Sequence, residues 1–352
     1  MTTLLEAALG SRTGPLLLDG GMSTTLEDEL GASTDHPLWS SHLLSDAKGR
    51  QQIQKVHQMF HDAGSDIIQT NTYQMDESLC EANGLSATEL VSNAIALARS
   101  VKGSPLVALS LGPYGALTSP GSEYSGHYTG PYGPFESSLP DSRVDPSSTL
   151  PPASDAECYE DALTDFHTKR LRTFLASEKP DLLAFETVPL LTEVRAIRRA
   201  VRLCQTELPY WISFVLPDGI CPQSTHPTID AKRCTLEALT LAALQGEQPP
   251  VAIGINCTHP SLIASNVIRM ARTVSSHKLS IPWLVLYPDG GLTYDTVTKS
   301  WHAREAQQSD RSWADALLDA ASTGDRAFAG YILGGCCKST PSYIAALRSI
   351  SG

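Results

Sequence analysis

Two adjacent cysteines near the end of the chain have the clearest capacity for chemistry. Cys336 and Cys337 follow an apolar run, Tyr331–Leu333, and two glycines. Neighbouring side chains on a strand point to opposite faces, so two adjacent cysteines directed at one point must lie beyond the strand end. We expect the glycines to give the backbone the freedom for that turn. A vicinal pair suits a structural disulfide poorly, but it suits a soft metal ion if a third thiolate joins it.

Cys257 offers the third thiolate, because it also ends an apolar run. In a barrel, the carboxyl ends of alternate strands lie on one rim, within reach of a common point. Three thiolates on zinc leave one tetrahedral position open, which is typical of a catalytic site. A lone strand cysteine is commonly a small buried hydrophobe. We interpret His259 as a loop residue and the other five cysteines as small buried hydrophobes. These cysteines are Cys80, Cys158, Cys204, Cys221 and Cys234.

The expected chemistry of such a centre is the alkylation of a thiol. Three thiolates overcompensate the charge of zinc, so the ion activates water poorly but can hold a fourth sulfur as a thiolate. A free thiol has a pKa of about 8.5, so metal binding makes the nucleophile available at neutral pH. A non-catalytic barrel that only binds zinc or thiols is the alternative from another functional class.

Eight apolar runs must position these residues. Each run is followed by a helical segment or by enough residues to form one. The runs are continuous, as in parallel strands that are covered on both faces. They predict an α/β fold, a (β/α)8 TIM barrel, in a single domain spanning 1–352. An open doubly wound sheet is the competitor, but the turn after the first run lacks GxGxxG. The runs are Leu16–Asp19, Asp66–Thr72, Leu106–Gly112, Leu182–Val188, Trp211–Leu216, Val251–Cys257, Trp283–Pro288 and Phe328–Gly334.

Six helices are predicted between the runs from their apolar spacing. They are Arg50–Ala63, Ala87–Val101, Asp155–Ser177, Thr192–Cys204, Ala231–Leu244 and Pro341–Ile350.

Two stretches interrupt the alternation of apolar runs and helices. Residues 118–154 form a long inserted loop on the active-site face, and we expect 137–154 to be mobile. Residues 292–315 contain two tryptophans and should pack against the barrel.

The amino-acid composition excludes some classes of function. The chain has 352 residues, of which 41% are hydrophobic, and a formal net charge of −12. This balance argues against a nucleic-acid surface and fits a cationic small molecule. We find no signal peptide and no apolar run long enough to span a membrane, so we expect no membrane partner. Eight cysteines without a regular framework indicate reduced thiols and a cytoplasmic location.

Five motifs together resemble the homocysteine S-methyltransferase family over almost the whole chain. They are LDGGM at 18–22, QTNTY at 69–73, FET at 185–187, GINC at 254–257 and GGCC at 334–337. The resemblance implies a zinc-dependent barrel that methylates L-homocysteine to L-methionine, with Cys257, Cys336 and Cys337 as zinc ligands.

The same motifs imply where homocysteine binds. Asp19 and Glu186 match positions that hold its amino-acid end, and we also assign Asn71 and Asn256 to that site. Two alternatives stay open. Asp19 could cap the turn that follows it, and Glu186 could be an ordinary buried partner.

A further likeness concerns the methyl donor. Residues 112–116 (GPYGA) and 121–124 (GSEY) resemble the branch that uses S-methylmethionine or S-adenosylmethionine. A glutamate charge and tyrosine ring faces suit a sulfonium. Packing within the loop is the alternative role for the tyrosines, and betaine is the alternative donor. The donor-site residues are Tyr73, Tyr114, Glu123 and Tyr124, with Tyr128 and Tyr132 as further ring faces.

The chain departs from the family pattern at two places. Residues 287–291 read YPDGG, which puts an additional acid, Asp289, near the rim, and the 137–154 insertion is long. We expect neither to touch the zinc motifs, so both should affect donor choice and loop motion more than the type of reaction.

Overall fold

Eight parallel strands form the centre of the molecule. The computed structural model describes residues 4–10, 13–135, 153–176, 178–225, 234–295, 300–303, 309–324 and 326–351. Each of the eight apolar runs contains one strand or overlaps with it. The strands are β1 Leu16–Leu17, β2 Ile67–Gln69, β3 Leu106–Leu111, β4 Leu182–Val188, β5 Tyr210–Phe214, β6 Ala252–Asn256, β7 Trp283–Tyr287 and β10 Tyr331–Leu333.

The sheet closes on itself. The strand order is β1-β10-β7-β6-β5-β4-β3-β2, and every pair in it is parallel. A parallel bridge between Leu18 and Ile67 joins the first strand to the last in this order. Asp66 N donates to Leu17 O at 2.7 Å, and Asp19 N donates to Ile67 O at 3.1 Å. The predicted (β/α)8 TIM barrel is therefore confirmed.

Helices surround the barrel. All six predicted helices are present, within a few residues of the expected bounds, although residues 231–233 lie outside the described ranges. The helix after β6 was not predicted; its inward face carries Ile263, Val267, Met270 and Val274. The helices are α1 Leu4–Leu9, α2 Met22–Leu30, α3 Ala47–Asp62, α4 Glu77–Ala82, α5 Ala87–Arg99, α6 Ala153–Phe174, α7 Leu191–Leu203, α8 Leu236–Leu244, α9 Ile263–Ser276, α10 Asp310–Ser322 and α11 Pro341–Ser351.

The core has two layers, one inside the barrel and one between the strands and the helices. Inside, Leu18, Ile67, Trp211 and Ile332 pack together, and Leu5 of α1 joins them. The outer layer is the larger one and includes the apolar faces of the helices. Because both faces of the strands are covered, their sequences read as continuous apolar runs.

The two irregular stretches are described in part. In the seventh unit, β8 Leu292–Asp295 and β9 Ser300–Ala303 form an antiparallel hairpin. The buried indole of Trp313 donates to Asp289 O at 3.0 Å, so this unit packs on the barrel as predicted. Residues 136–152 of the predicted inserted loop, and with them nearly all of the 137–154 stretch expected to be mobile, lie outside the described residues. Within the described ranges, each helix is too short or too polar to cross a membrane.

Candidate active site and metal centre

The structure brings the three predicted ligand cysteines together at the carboxyl ends of β6 and β10. The sulfur atoms of Cys257, Cys336 and Cys337 all lie within 4.8 Å of one another. Cys257 and Cys336 form a disulfide, and Cys337 Sγ lies 4.0 Å from Cys336 Sγ. The expectation of reduced thiols is thus wrong for one pair in this structure, because the two strand ends bring these sulfurs within bonding distance.

The donor set fits a thiophilic metal ion once that pair is reduced. Zinc–sulfur bonds of about 2.3 Å in a tetrahedron place neighbouring sulfurs about 3.8 Å apart. The separation of Cys336 and Cys337 is close to this value. The disulfide and a three-sulfur metal site exclude each other, since the ligands must be thiolates.

The end of β7 holds both cysteine turns in place. Tyr287 O accepts from Cys257 N at 3.2 Å, and Pro288 O accepts from Cys336 N at 2.8 Å. Gly290 N donates to Cys337 O at 2.9 Å. The expectation that residues 287–291 would not touch the zinc motifs is therefore wrong. β7 lies between β6 and β10 in the sheet, so its backbone contacts both turns.

The glycines before Cys336 are needed for close packing. A Cβ on Gly334 would lie 2.6 Å from Leu18 Cβ, and one on Gly335 would lie 2.3 Å from Ser339 Cβ. Neither glycine has a positive φ, so the predicted reason for them, backbone freedom, is wrong. The left-handed conformation falls instead on Cys257, with φ 44°.

Asp19 and Glu186 form a buried pair of acids beside the cysteines. Asp19 Oδ2 accepts from Gln69 N at 2.8 Å, whereas its Oδ1 has no partner among the described residues. Glu186 accepts from Gln69 Nε2 at 3.0 Å and from Ser110 Oγ. Burial raises the pKa of both carboxyls, and the negative charge of Glu186 raises the pKa of Asp19 further. Gln69 thus bridges two acids that a cation would stabilise.

The two predicted asparagines use their amides within the chain. Asn71 Oδ1 accepts from Ser40 Oγ at 2.8 Å, and Asn71 Nδ2 donates to Ser40 O at 3.0 Å. Asn256 Oδ1 accepts from Thr187 N, and Asn256 Nδ2 donates to Thr187 Oγ1, both at 2.8 Å. Thr187 has φ 62° and directly follows Glu186. These contacts position neighbouring residues; binding of homocysteine by either amide stays a prediction.

Glu123, Tyr73 and Tyr124 lie together on the donor side. Glu123 is 7% exposed, its Oε2 has no partner among the described residues, and burial raises its pKa to about 7. Burial also raises the pKa of both tyrosines, with further contributions from the charge of Glu123. A negative charge on Cys337 also raises the pKa of Tyr124, so Tyr124 lies near the cysteines.

The ring of Tyr114 lies elsewhere. It stacks on Tyr132 with ring centroids 3.9 Å apart and meets Tyr128 edge-on at 5.3 Å. Phe166 of α6 lies 5.6 Å away on another side. This is the packing named above as the alternative role for the loop tyrosines, and a contact of Tyr114 with a donor stays a prediction.

Several residues of the site escaped the sequence analysis. They are polar or charged residues on strands and helices: half-buried Gln69, and buried Ser110, Arg170, Thr187, Glu193 and Ser213. Glu193 had a usable signal, because it lies four residues before buried Ile197 on the inward face of α7. A charged residue on an inward face indicates a buried partner.

A TIM barrel with three clustered cysteines and buried acids at its rim defines a class of barrel enzymes whose cysteines could hold a metal ion. The sequence model of the homocysteine S-methyltransferase family matches residues 16–351. The chain belongs to this family and is a methyltransferase.

Known relatives match along most of their length. Homocysteine S-methyltransferase 2 of Zea mays is 32% identical over 353 residues, which cover 95% of this chain and 89% of the relative. Two crystal structures of the homocysteine methyltransferase MmuM from Escherichia coli also match at 27% identity. The oxidised form has a TM-score of 0.71 and covers 99% of both chains. The metallated form has a TM-score of 0.70 and covers 98% of this chain and 99% of that one.

Proposed function

We propose that this protein transfers a methyl group from a sulfonium donor, S-methylmethionine or S-adenosylmethionine, to L-homocysteine, with zinc as cofactor, and releases L-methionine. The convergence of three cysteine sulfurs within 4.8 Å carries the proposal. It is supported by the neighbouring acids and by relatives named homocysteine S-methyltransferases.

On the acceptor side, Asp19 and Glu186 bind the ammonium group of homocysteine. The unpartnered Asp19 Oδ1 accepts a hydrogen bond from it, while Gln69 keeps the two carboxyls in position. Cys257, Cys336 and Cys337 would hold the zinc ion, which would lower the pKa of a substrate thiol at neutral pH. The acids therefore fix the amino-acid end and direct the sulfur towards the cysteines.

On the donor side, Glu123 attracts the sulfonium, and Tyr73 and Tyr124 offer ring faces to it. The homocysteine sulfur forms a new bond to the methyl carbon while the carbon–sulfur bond of the donor breaks. The departing sulfur keeps the electron pair and leaves as a neutral thioether. Because charge disappears during transfer, Glu123 stabilises the bound donor more than the transition state. Its main effect is therefore on the donor KM.

The remaining partners follow from this chemistry. Both substrates are small molecules, and the chain forms one homocysteine-binding barrel over 1–352, with 118–154 as an inserted loop on the active-site face. The three ligand sulfurs must be reduced to hold zinc, which supports a cytoplasmic location, where thiols stay reduced.

A donor assay tests the proposal. Reduced, zinc-loaded protein is incubated with homocysteine and, separately, with S-methylmethionine, S-adenosylmethionine or glycine betaine, and methionine is quantified. We expect product with a sulfonium donor and none with betaine. Cys336→Ser is the inactive control, and Cys158→Ser on α6 is the matched active one. Product from betaine alone would support the betaine branch, and no product from any donor would favour a non-catalytic zinc or thiol-binding barrel.

A further inference from the structure

The donor segment, defined as residues 113–135, is held from outside the barrel by two buried charged side chains. Arg170 of α6 is 2% exposed and Glu193 of α7 is 0% exposed. Arg170 Nη1 donates to Gly112 O at 2.9 Å, and Glu193 Oε1 accepts from Tyr114 N at 2.7 Å. The two side chains therefore fix the backbone where the donor segment begins.

The charges of this pair compensate each other. Burial lowers the pKa of Arg170 to about 10, so the guanidinium stays protonated at neutral pH. The negative charges of Asp76 and Glu193 oppose that lowering. Burying a charge is costly unless an opposite charge or hydrogen bonds offset it. Loss of Glu193 would remove part of the negative charge that compensates the buried guanidinium of Arg170, and Asp76 would supply the rest.

Glu193 also holds a later part of the donor segment. Its Oε2 accepts from Tyr128 OH at 2.6 Å, and its Oε1 lies 3.1 Å from His167 Nε2. Burial lowers the pKa of His167, so a neutral ring donates to the carboxylate. One carboxylate thus fixes both Tyr114 and Tyr128, which enclose the GSEY element in sequence.

Further hydrogen bonds connect the residues held by Arg170 and Glu193 to the donor-side residues Glu123 and Tyr73. Ser122 N donates to Gly115 O at 2.9 Å, which places Glu123. Gly112 N donates to Tyr73 O at 3.1 Å, so the residue that Arg170 holds also places Tyr73. The positions of Glu123 and Tyr73 therefore depend on Arg170 and Glu193.

We propose that Arg170 and Glu193 are positioning residues that set the affinity for the sulfonium donor. The inference rests on the proposed function, because it acts through the donor group. The acids for homocysteine are held differently: Asp19 and Glu186 are fixed by Gln69 and Ser110 on the barrel strands. The charge of Arg170 also lowers the pKa of Glu186, so the two substrates are compared in Glu193 variants. A change at Glu193 should alter donor binding and leave homocysteine binding unchanged.

The experiment compares KM values for the two substrates in reduced, zinc-loaded variants. Glu193→Gln removes the charge and one acceptor, and we expect the S-methylmethionine KM to rise about tenfold. The milder Tyr128→Phe removes one hydrogen bond and should raise it about threefold. Homocysteine KM and zinc content should stay within about twofold. The matched control is Arg199→Gln, since Arg199 of α7 pairs with Asp161 of α6 on the exposed side of the same two helices.

A double variant separates positioning from stability. Arg170→Met and Glu193→Gln should each lower Tm, because each removes part of the charge compensation of the other buried side chain. The double variant should regain much of the lost Tm while its donor KM stays raised. Recovery of both quantities would mean that the pair is only structural and would overturn the inference. An equal rise of both KM values in Glu193→Gln would also overturn it, as would an unchanged donor KM.

Amide hydrogen exchange gives a readout that does not depend on turnover. Exchange in the described donor segment should be faster in Glu193→Gln than in Arg199→Gln, with no change at the β6 and β10 ends. If the wild-type protein forms no methionine from any sulfonium, the proposed function fails and the donor role fails with it. Unchanged exchange in Glu193→Gln, with an active wild-type protein, would refute the inference alone.

Discussion

Asp19 and Glu123 each keep one carboxyl oxygen buried without a hydrogen-bond partner among the described residues. Such an oxygen costs free energy in the empty site, of the order of 1–3 kcal/mol, and that cost is recovered when a cationic substrate binds. The two acids lie on different parts of the rim, so they can serve two different cations. At the residue scale, these orphaned oxygens support a site for two positively charged groups.

The raised pKa of Glu123 predicts a pH-dependent donor KM. Its pKa is about 7, above its ordinary value of 4.5, so the side chain is neutral below pH 7 and negative above it. Only the negative form attracts a sulfonium. The S-methylmethionine KM should therefore fall about tenfold as the pH rises from about 6 to about 8. Initial rates at saturating homocysteine measure this dependence.

Glu123→Gln is the control for that profile. The amide cannot ionise, so its donor KM should be high and flat over the same pH range. A profile like that of the wild-type protein would show that another group titrates.

The raised pKa of Glu123 also affects folding stability. The neutral carboxyl contributes fully to the free energy of unfolding below about pH 4.5, and this contribution is lost as the pH rises through about 7.

The cysteines predict a metal content that depends on the redox state. We expect about one zinc per chain after reduction and dialysis against zinc, and almost none while Cys257 and Cys336 stay joined. Cys337→Ser should lose most of the zinc even when reduced, whereas Cys158→Ser should keep it. Elemental analysis with a thiol count measures both. Full zinc content in the oxidised protein would disprove the three-thiolate site.

At the scale of elements, the site depends on contacts between neighbouring strand ends. The end of β7 binds both cysteine turns through its backbone. Asn256, at the end of β6, binds Thr187 at the end of β4. Since Cys257 and Thr187 both have positive φ, these hydrogen bonds stabilise conformations that their side chains disfavour.

Replacing Asn256 tests this connection. Asn256→Ala removes hydrogen bonds to Thr187 N, Thr187 Oγ1 and Ser213 Oγ, all buried. We expect the free energy of unfolding to fall by about 2–4 kcal/mol, since each unsatisfied buried group costs about 1–3 kcal/mol. Zinc affinity should also fall, because Asn256 directly precedes Cys257 and its side chain helps to fix that strand end. Urea unfolding and competition with a chromogenic chelator measure the two effects.

The matched control is Asn83→Ala. Among the described residues, the side-chain amide of Asn83 donates to Leu79 O, within its own short helix end. This change should leave zinc affinity at the wild-type value. An Asn256→Ala protein with normal zinc affinity would show that Cys257 is positioned without the amide.

At the scale of the whole molecule, the metal ligands link distant parts of the chain. Cys257 and Cys336 are 79 residues apart and lie on strands separated by β7. A metal ion bound at this point stabilises the folded barrel and has no comparable site in the unfolded chain. Metal binding and global stability should therefore be coupled.

Thermal unfolding measures this coupling. With free zinc at about 100 times its Kd, the folded state gains about 2.7 kcal/mol. For a chain of 352 residues this corresponds to an increase in Tm of about 3–4 °C. A chelator should reverse the shift. Reduced Cys337→Ser protein should show a much smaller shift, and an equal shift in that variant would place the stabilising ion elsewhere.

Local sequence was sufficient for the barrel and for the convergence of the cysteines. The strands appear in sequence because each buries both faces and is therefore continuously apolar. Once eight such runs predict a barrel, the ends of its sixth and eighth strands must share one rim. Cys257 and Cys336 could thus be brought together from two separate motifs without any measured distance.

Tertiary structure alone decided how the site is held. Gly334 and Gly335 needed to be glycine because Leu18 and Ser339 lie against them, a contact between distant segments. Asn256 was assigned to substrate, yet its amide binds Thr187, 69 residues away. The roles of these residues depend on which neighbour lies opposite them after folding, and a linear pattern does not contain that information.

The helices outside the barrel show most clearly that a sequence pattern does not reveal contacts between distant residues. The sequence contains Arg170 and Glu193 as two charged residues on separate helices, 23 positions apart, with no motif to join them. Only the packing of α6 against α7 brings their side chains to Gly112 and Tyr114. The sequence by itself therefore determined the barrel and its candidate ligands. The hydrogen bonds that fix the donor group were decided by side-chain packing across elements, because their partners are distant in the chain.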